Sequence, residues 1–220
     1  MQISKKILAE VRALFSIKST KTTWAKAALT AISVGIPLLL GLYFDNVRAG
    51  LTACISGLVI LYLPNTGSFT NKISTLLISS FGFILSFAIG QFFSFSHLAS
   101  IIAFGVYSML IHLILLQYKT APPRSFFFIF ITVLSICQPF DFNTIPEKVG
   151  LISLGLLLAN FIILVHLLYL STKANWRLEP QPIRIFQKTD YANFWEAITL
   201  GCFMAASLWC GYFLEMENPY

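Results

Sequence analysis

Charged side chains are scarce in this sequence. Of its 220 residues only 11% are Asp, Glu, Lys or Arg, whereas 57% are hydrophobic, and the mean hydropathy is +0.78. An average soluble domain carries about 25% charged residues, so a soluble chain of this composition would have too few polar side chains to cover its surface. The shortage excludes an ordinary soluble globular domain and predicts an integral membrane protein.

Groups that carry chemistry are also missing from the apolar runs. These runs contain no Asp, and Glu196 is their one acidic residue. No two His residues stand at metal-ligand spacing, and no phosphate-binding Gly-rich loop or GxSxG motif occurs. The cysteines lie inside apolar runs without CxxC spacing, which favours buried small apolar side chains over a disulfide framework. We therefore expect no enzyme activity, no cofactor and no metal site.

Long continuous apolar runs are what the sequence has instead. The run 27–44 carries no charge over 18 residues, about the length that an α-helix needs to cross the hydrocarbon of a bilayer. Strands of an outer-membrane barrel would alternate in segments of ~10 residues. We predict an all-α, polytopic membrane bundle of about seven transmembrane helices. The predicted spans are 25–44, 47–63, 73–93, 98–116, 125–138, 149–170 and 194–214.

The fifth predicted span, 125–138, is the shortest. A run of ~14 residues is equally consistent with a re-entrant or interfacial segment. Extending it through Pro139 and Phe140 would give a tilted crossing. Whether residues 125–140 cross the membrane is left open by the sequence.

The basic residues predict the orientation of the bundle. With the N-terminus in the cytoplasm, only Arg48 and Lys148 fall on the outside. The other 13 of the 15 fall inside: Lys5, Lys6, Arg12, Lys18, Lys21, Lys26, Lys72, Lys119, Arg124, Lys173, Arg177, Arg184 and Lys188. Such an asymmetry follows the positive-inside rule. Because these residues lie between apolar runs, we read the net charge of +6 as membrane topology and expect no nucleic-acid partner.

The same pattern divides the chain into four parts. Residues 1–23 form a basic cytoplasmic segment whose apolar residues recur at helical spacing, which favours an amphipathic surface helix over a poorly ordered basic tail. Residues 24–170 are predicted to form a six-helix transmembrane domain. Residues 171–193 are polar and read as a cytoplasmic linker. Residues 194–220 are predicted to be the first helix of a second, truncated repeat.

The evidence for this repeat is an offset of 170 residues. The first span carries a ladder of small residues every fourth position, a spacing that lets transmembrane helices approach closely. Adding 170 carries Ala27, Ala31 and Gly35 onto Ala197, Gly201 and Ala205. It also carries Trp24 onto Phe194, Gly41 onto Gly211, Tyr43 onto Phe213 and Asp45 onto Glu215. Similar ladders occur in the second span, at Ala49, Ala53 and Gly57, and in the third, at Gly82, Ser86 and Gly90.

Four stretches together resemble a known family: KAALTAISVGIPLLLGLYF, NVRAGLTACISGLVILY, NKISTLLISSFGFILSFAIG and YANFWEAITLGCFMAASLWCGYF. In this order, after a basic segment, they resemble the N-terminal half of the fusaric acid resistance-like (FUSC) and aromatic acid exporter family of bacterial inner-membrane proteins. The resemblance implies six spans, a cytoplasmic segment and a second similar set. It also implies efflux of small organic or aromatic acids from a multi-pass protein of the inner membrane.

Two features depart from that family pattern. The linker is short, and the chain stops just after the first helix of the second set. We expect either a piece of a longer parent, which the unpaired last helix favours, or a half-length protein that forms a homo-oligomer. A non-transporting membrane scaffold or assembly partner is the alternative function, because small-residue ladders serve both.

Four residues are candidates for a substrate pathway: Pro37, Gln91, His112 and Asn160. Polar groups in lipid are costly and need a partner or a cavity, and a kinked helix often lines a transport site. Three of them have a structural alternative. Pro37 can be a packing feature, His112 can reach the interface, and Asn160 can form a helix–helix hydrogen bond. His112 is also the candidate for a proton-coupled step.

Overall fold

A computed structural model describes residues 24–64, 67–117, 123–174 and 194–214. The predicted N-terminal segment 1–23 and the linker from residue 175 lie outside these ranges. Every regular element within them is helical. The elements are α1 (Trp24–Tyr43), α2 (Val47–Cys54, continuing as a 3₁₀ helix over Ile55–Tyr62), α3 (Phe69–Phe93), α4 (His97–Gln117), α5 (Phe126–Ile136), α6 (Ile145–Ala174, after a 3₁₀ turn at Phe142–Thr144) and α7 (Phe194–Phe213).

The seven predicted helices are confirmed. Five of them, α1, α3, α4, α6 and α7, are long and apolar enough to cross a membrane, and α2 and α5 are shorter apolar helices. Large apolar side chains cover much of the outer surface: Leu154, Leu157 and Phe161 on α6, for example, are each more than 60% exposed. An apolar exterior of this kind is stable against lipid. The chain is a multi-pass membrane protein.

Pairwise contacts show that successive helices alternate in direction. In α1 and α2, Lys26 lies beside Leu63 and Gly41 beside Gly50, so the two helices form an antiparallel hairpin. We call the end of the bundle where α1 ends the outer end, and the opposite end the inner end, following the predicted orientation.

The same alternation continues through α3 to α7. Helix α6 runs against α3, because Asn160 contacts Ser80 while the earlier residue Lys148 contacts the later residue Gln91. Helix α7 runs against α4. The contacts that show it are Glu196 with His112, Gly201 with Gly105 and Tyr212 with His97.

The fifth helix, α5, is shorter than a membrane crossing but runs in the required direction. Its 11 residues span about 16 Å, roughly half of the hydrocarbon thickness. Phe128 packs where a side chain at Gly82 would stand, and Ser135 where one at Gly90 would stand, so α5 runs parallel to the second half of α3. The chain therefore passes from the inner to the outer end here. The predicted extension through Pro139 and Phe140 is not helical.

Three predicted boundaries are corrected by four residues each, and one of them is the start of α6, which lies at Ile145 rather than residue 149. Helix α3 begins at Phe69 rather than residue 73 because the Ser68 hydroxyl accepts a hydrogen bond from the Asn71 backbone N–H at 3.4 Å, which caps the first turn. Helix α6 continues to Ala174, four residues past the predicted end at 170, so the linker begins in a helix.

The small-residue ladders pack only where a neighbouring helix is present. In α3 the prediction is confirmed: an added Cβ at Gly90 would lie 2.6 Å from the Thr132 carbonyl oxygen. In α1 it is wrong. Ala27 and Ala31 are exposed and Gly35 has no atom within 4 Å of an added Cβ.

A different row of α1 is buried, formed by Ser33, Pro37 and Gly41. It contacts α2: an added Cβ at Gly41 would lie 2.6 Å from the Gly50 Cα, and one at Gly57 would lie 2.9 Å from the Ser33 carbonyl carbon. The correction has a plain cause. Periodicity identifies the small faces of a helix but not which face meets its neighbour.

Two apolar cores hold the bundle together. The larger lies between α2, α3, α5 and α6 and is built of Val59, Ile60, Leu76, Phe83, Phe87, Phe128, Ile131, Ile152, Leu156, Ala159, Ile163 and Leu167. The smaller joins α4, α5 and α7 through Phe104, Ile129, Ile136 and Leu208. Three residues of the smaller core, Phe104, Ile129 and Leu208, also line one of the two cavities described next.

Candidate functional site

A cavity of about 710 Å³ opens at the outer end of the bundle, which we call the outer cavity. Its walls are the first turns of α2, the end of α5 and the start of α6. It is lined by Asn46, Arg48, Ala49, Leu51, Thr52, Ile55, Leu134, Cys137, Gln138, Pro139, Thr144, Glu147, Lys148 and Leu151. Its volume suits a small organic molecule.

Lys148 is held at the edge of this cavity by two hydrogen bonds. Its Nζ donates to Gln91 Oε1 at 3.0 Å and to the Pro139 carbonyl oxygen at 2.7 Å. Gln91 is fully buried, and its Nε2 donates to the Ser135 carbonyl oxygen at 2.5 Å. Because an ammonium group can only donate, this arrangement fixes which way the Gln91 amide points. Gln91 thereby ties together α3, α5 and α6.

The charges around the outer cavity are two cations and one carboxylate. Arg48 lies in the wall formed by α2, and Glu147 and Lys148 lie in the wall formed by α6. The carboxylates that act electrostatically on Lys148 are those of Asp141 and Glu147. Neither Arg48 nor Lys148 forms an ion pair with a described residue. The two basic residues that the sequence places outside thus meet at one cavity.

A second cavity, the inner cavity, has a volume of about 500 Å³ and lies between α4, α5 and α7. Its walls are mostly apolar and aromatic. It is lined by Phe104, His112, Pro123, Arg124, Ser125, Phe126, Ile129, Phe130, Val133, Leu200, Met204, Ser207, Leu208 and Gly211. Its polar groups are concentrated at the inner end.

His112 joins three helices at that end. Its Nδ1 lies 2.8 Å from Ser125 Oγ and its Nε2 lies 3.4 Å from Glu196 Oε1. The His112 side chain is buried, whereas the Glu196 side chain is half exposed. The sequence analysis names no partner for Glu196, so this contact is a finding of the structure. It ties the start of α7 to α4.

Asn160 and Pro37 line neither cavity. The Asn160 amide donates to Ser80 Oγ at 2.9 Å, which is the helix–helix hydrogen bond proposed from the sequence as its alternative role. Pro37 is buried in the contact between α1 and α2, where its carbonyl oxygen lies 3.0 Å from an added Cβ at Gly50. The four predicted pathway residues therefore do not form one site. Gln91 belongs to the outer cavity and His112 to the inner cavity.

Hydroxyl groups form a buried polar seam between α3, α4 and α5 that the sequence did not identify. Ser86 Oγ lies 2.5 Å from the Tyr107 hydroxyl. Thr132 Oγ1 donates to the Phe128 carbonyl oxygen at 2.9 Å, and Ser135 Oγ donates to that of Phe87 at 2.6 Å. Most of these bonds use backbone carbonyls, so the seam satisfies polar groups that would be costly in lipid.

Arg48 and Lys148 are the site residues that sequence reasoning missed. The sequence did carry a signal for them, since they are the two basic residues on the predicted outer side, where the other charged residues are acidic. Ser125, Ser135 and Pro139 carried no such signal, because their contribution depends on backbone and hydroxyl positions. Within the described ranges no group of three or more His, Cys, Asp or Glu could hold a metal ion.

Comparisons with known proteins find one similar membrane protein. The chain is 27% identical over 166 residues to the uncharacterized membrane protein YvaC of Bacillus subtilis (strain 168). The similar region covers 76% of this chain and 26% of YvaC, so it spans about a quarter of the length of that relative. No family model matches the chain, and no solved structure matches it.

Proposed function

We propose that this chain belongs to a bacterial inner-membrane transporter that exports small organic or aromatic acids, with its N-terminus in the cytoplasm. The observation that carries the proposal is the outer cavity. It is large enough for a small organic molecule, and the two basic residues of the predicted outer side, Arg48 and Lys148, both line it. Positive charge focused in a concave, low-dielectric site favours an anionic solute.

Three further observations support this function. The four sequence stretches resemble the FUSC and aromatic acid exporter family. The inner cavity extends from Arg124 near the inner end toward Gly211 near the outer end, so it gives a second space along the bundle, walled mostly by apolar side chains. The described residues offer few converging acid, base or nucleophilic groups, so we propose transport without catalysis.

The test is transport by the purified chain in liposomes. We expect wild-type protein to move radiolabelled benzoate at a rate above that of empty liposomes, which set the passive background. Replacing Ala49, which lines the outer cavity, with tryptophan should lower that rate by about tenfold or more, because the larger side chain fills the space that the solute needs. The matched control is Leu157→Trp, on the exposed face of α6, which should keep the wild-type rate.

Equal rates for wild-type protein and empty liposomes would contradict the proposal. So would an Ala49→Trp variant that transports as fast as Leu157→Trp. Either result would shift the assignment toward the second candidate function.

That second candidate is a membrane scaffold or assembly partner, and one observation favours it. The ladder of Ala27, Ala31 and Gly35 faces outward on α1, with no atom within 4 Å of an added Cβ at Gly35. Such a face can receive a helix of another copy or of a second set of spans. Loss of a membrane complex in a Gly35→Leu variant, without any change in benzoate flux, would support this role.

A further inference from the structure

The hydrogen bonds of Lys148 leave it incompletely paired. Its ammonium group has three N–H donors, and two of them are used by Gln91 Oε1 and the Pro139 carbonyl oxygen. The third has no acceptor among the described residues, while Lys148 lines the outer cavity. A charged donor that borders a cavity and still has one free N–H can form a charge-assisted hydrogen bond to an anion.

Gln91 holds this ammonium group without neutralising it. An amide oxygen accepts the hydrogen bond but carries no formal charge, so the positive charge of Lys148 remains available to a ligand. The Gln91 side chain cannot shift easily, since it is fully buried and its other end donates to the Ser135 carbonyl oxygen at 2.5 Å. A carboxylate in the same place would form an ion pair with Lys148 and compete with any bound anion.

We infer that the outer cavity is a carboxylate-binding site in which Lys148 contacts the ligand, Arg48 adds positive charge from the facing wall, and Gln91 is the positioning residue for Lys148. The inference rests on the proposed export of small acids and names the group that recognises them. Glu147 also lines the cavity and opposes an anion, so the site favours a ligand with a single carboxylate over one with several.

The test measures the equilibrium binding of benzoate, and of its uncharged analogue benzamide, to the full chain in detergent. Calorimetry gives the two affinities. Wild-type protein should prefer benzoate. Gln91→Met should weaken benzoate binding about tenfold, because Lys148 loses an acceptor. Gln91→Glu should weaken it further, because the new carboxylate pairs with Lys148. Neither variant should change benzamide binding by a similar factor, which separates a charge effect from general damage.

The matched control is Ser80→Ala. It removes another hydrogen bond between α3 and α6, that from Asn160, away from the outer cavity. It should keep the wild-type preference for benzoate. A wild-type protein without that preference would overturn the inference, and so would Gln91 variants that bind benzoate as Ser80→Ala does.

Two variants at less buried positions keep the test decisive if the Gln91 variants do not fold. Lys148→Met should abolish the preference for benzoate, and Glu147→Gln should strengthen benzoate binding several-fold by removing the opposing charge. Wild-type affinities in both would overturn the site. If benzoate bound to the protein but was not transported, the carboxylate-binding site would be supported and the proposed export would be contradicted. If Lys148→Met transported benzoate at the wild-type rate, the carboxylate-binding site would be contradicted and the proposed export would be supported.

Discussion

Helices α1 and α7 carry the same ladder of small residues 170 positions apart, yet they bury different faces. In α7 the ladder is packed: an added Cβ at Gly201 would lie 2.8 Å from the Gly105 carbonyl oxygen, and the Ala205 Cβ lies 2.9 Å from an added Cβ at Gly105. In α1 the ladder is exposed, and the buried row is Ser33, Pro37 and Gly41. The equivalents of that row in α7 are at most partly buried, and two of them, Ser207 and Gly211, line the inner cavity.

The difference shows that α1 and α7 each have two faces that can pack closely, and that the position of the neighbouring helix determines which face is buried. Helix α1 lies in a hairpin with α2, and α7 lies against α4. Small residues permit close approach, but they cannot supply the partner. If the 170-residue offset reflects a true repeat, the face that α7 packs against α4 corresponds to the exposed face of α1. The face that α1 packs against α2 corresponds to a largely exposed face of α7.

The largest effect is expected from enlarging a ladder glycine. Gly201→Leu should destabilise the packing of α7 by about 3 kcal/mol, because the new side chain meets the backbone of Gly105 and the Met109 side chain, neither of which can move far. The matched variant Gly35→Leu should leave stability within about 0.5 kcal/mol. Thermal denaturation in detergent measures both. Equal melting temperatures for the two variants would remove the proposed difference between the ladders.

An intermediate effect is expected from the second packing face. Gly41→Ala should cost about 1–3 kcal/mol, because its Cβ would lie 2.6 Å from the Gly50 Cα and backbone atoms do not yield easily. The equivalent change in α7, Gly211→Ala, meets no atom within 4 Å and should stabilise the helix by about 0.5–1 kcal/mol. The same melting experiment applies. Destabilisation by both changes would mean that the two helices bury the same face after all.

The smallest effects are expected from the charged residues that begin the two helices, since the offset pairs Lys26 with Glu196. Lys26 donates to the carbonyl oxygens of Leu61 and Leu63 at 2.8 and 2.9 Å. Lys26→Met should therefore cost about 1–2 kcal/mol through unsatisfied acceptors. Glu196→Gln should cost less than about 1 kcal/mol, because Glu196 is half exposed and solvent screens its contact with His112. A larger loss for Glu196→Gln would show that its contact with His112 is the dominant anchor.

Composition and run length were sufficient to predict the class and most of the fold. The scarcity of charge predicted a membrane protein, and turn residues placed α4 and α7 to within a residue. Helix α3 begins four residues early because one hydroxyl, that of Ser68, caps it. A capping bond of this kind is visible only once the backbone geometry is known.

The candidate site was less accessible to the sequence. Gln91 and His112 could be selected because polar groups in lipid need a reason, but their partners could not. Lys148 lies 57 residues from Gln91 and Glu196 lies 84 residues from His112, and no periodicity connects them. Asn160 was placed correctly as a helix–helix contact because that role needs only a hydroxyl on a neighbouring helix, and α3 is rich in serine.

The change of winding within α2 has a consequence for membrane thickness. A regular α-helix of the sixteen residues Val47–Tyr62 would be about 24 Å long, too short for a hydrocarbon layer of about 30 Å. The second half, Ile55–Tyr62, is wound as a 3₁₀ helix, which rises about 2.0 Å per residue. The segment therefore reaches about 28 Å. The tighter helix lets a short sequence match the bilayer, and any substitution that restored α-helical winding there would draw one end of α2 into the lipid.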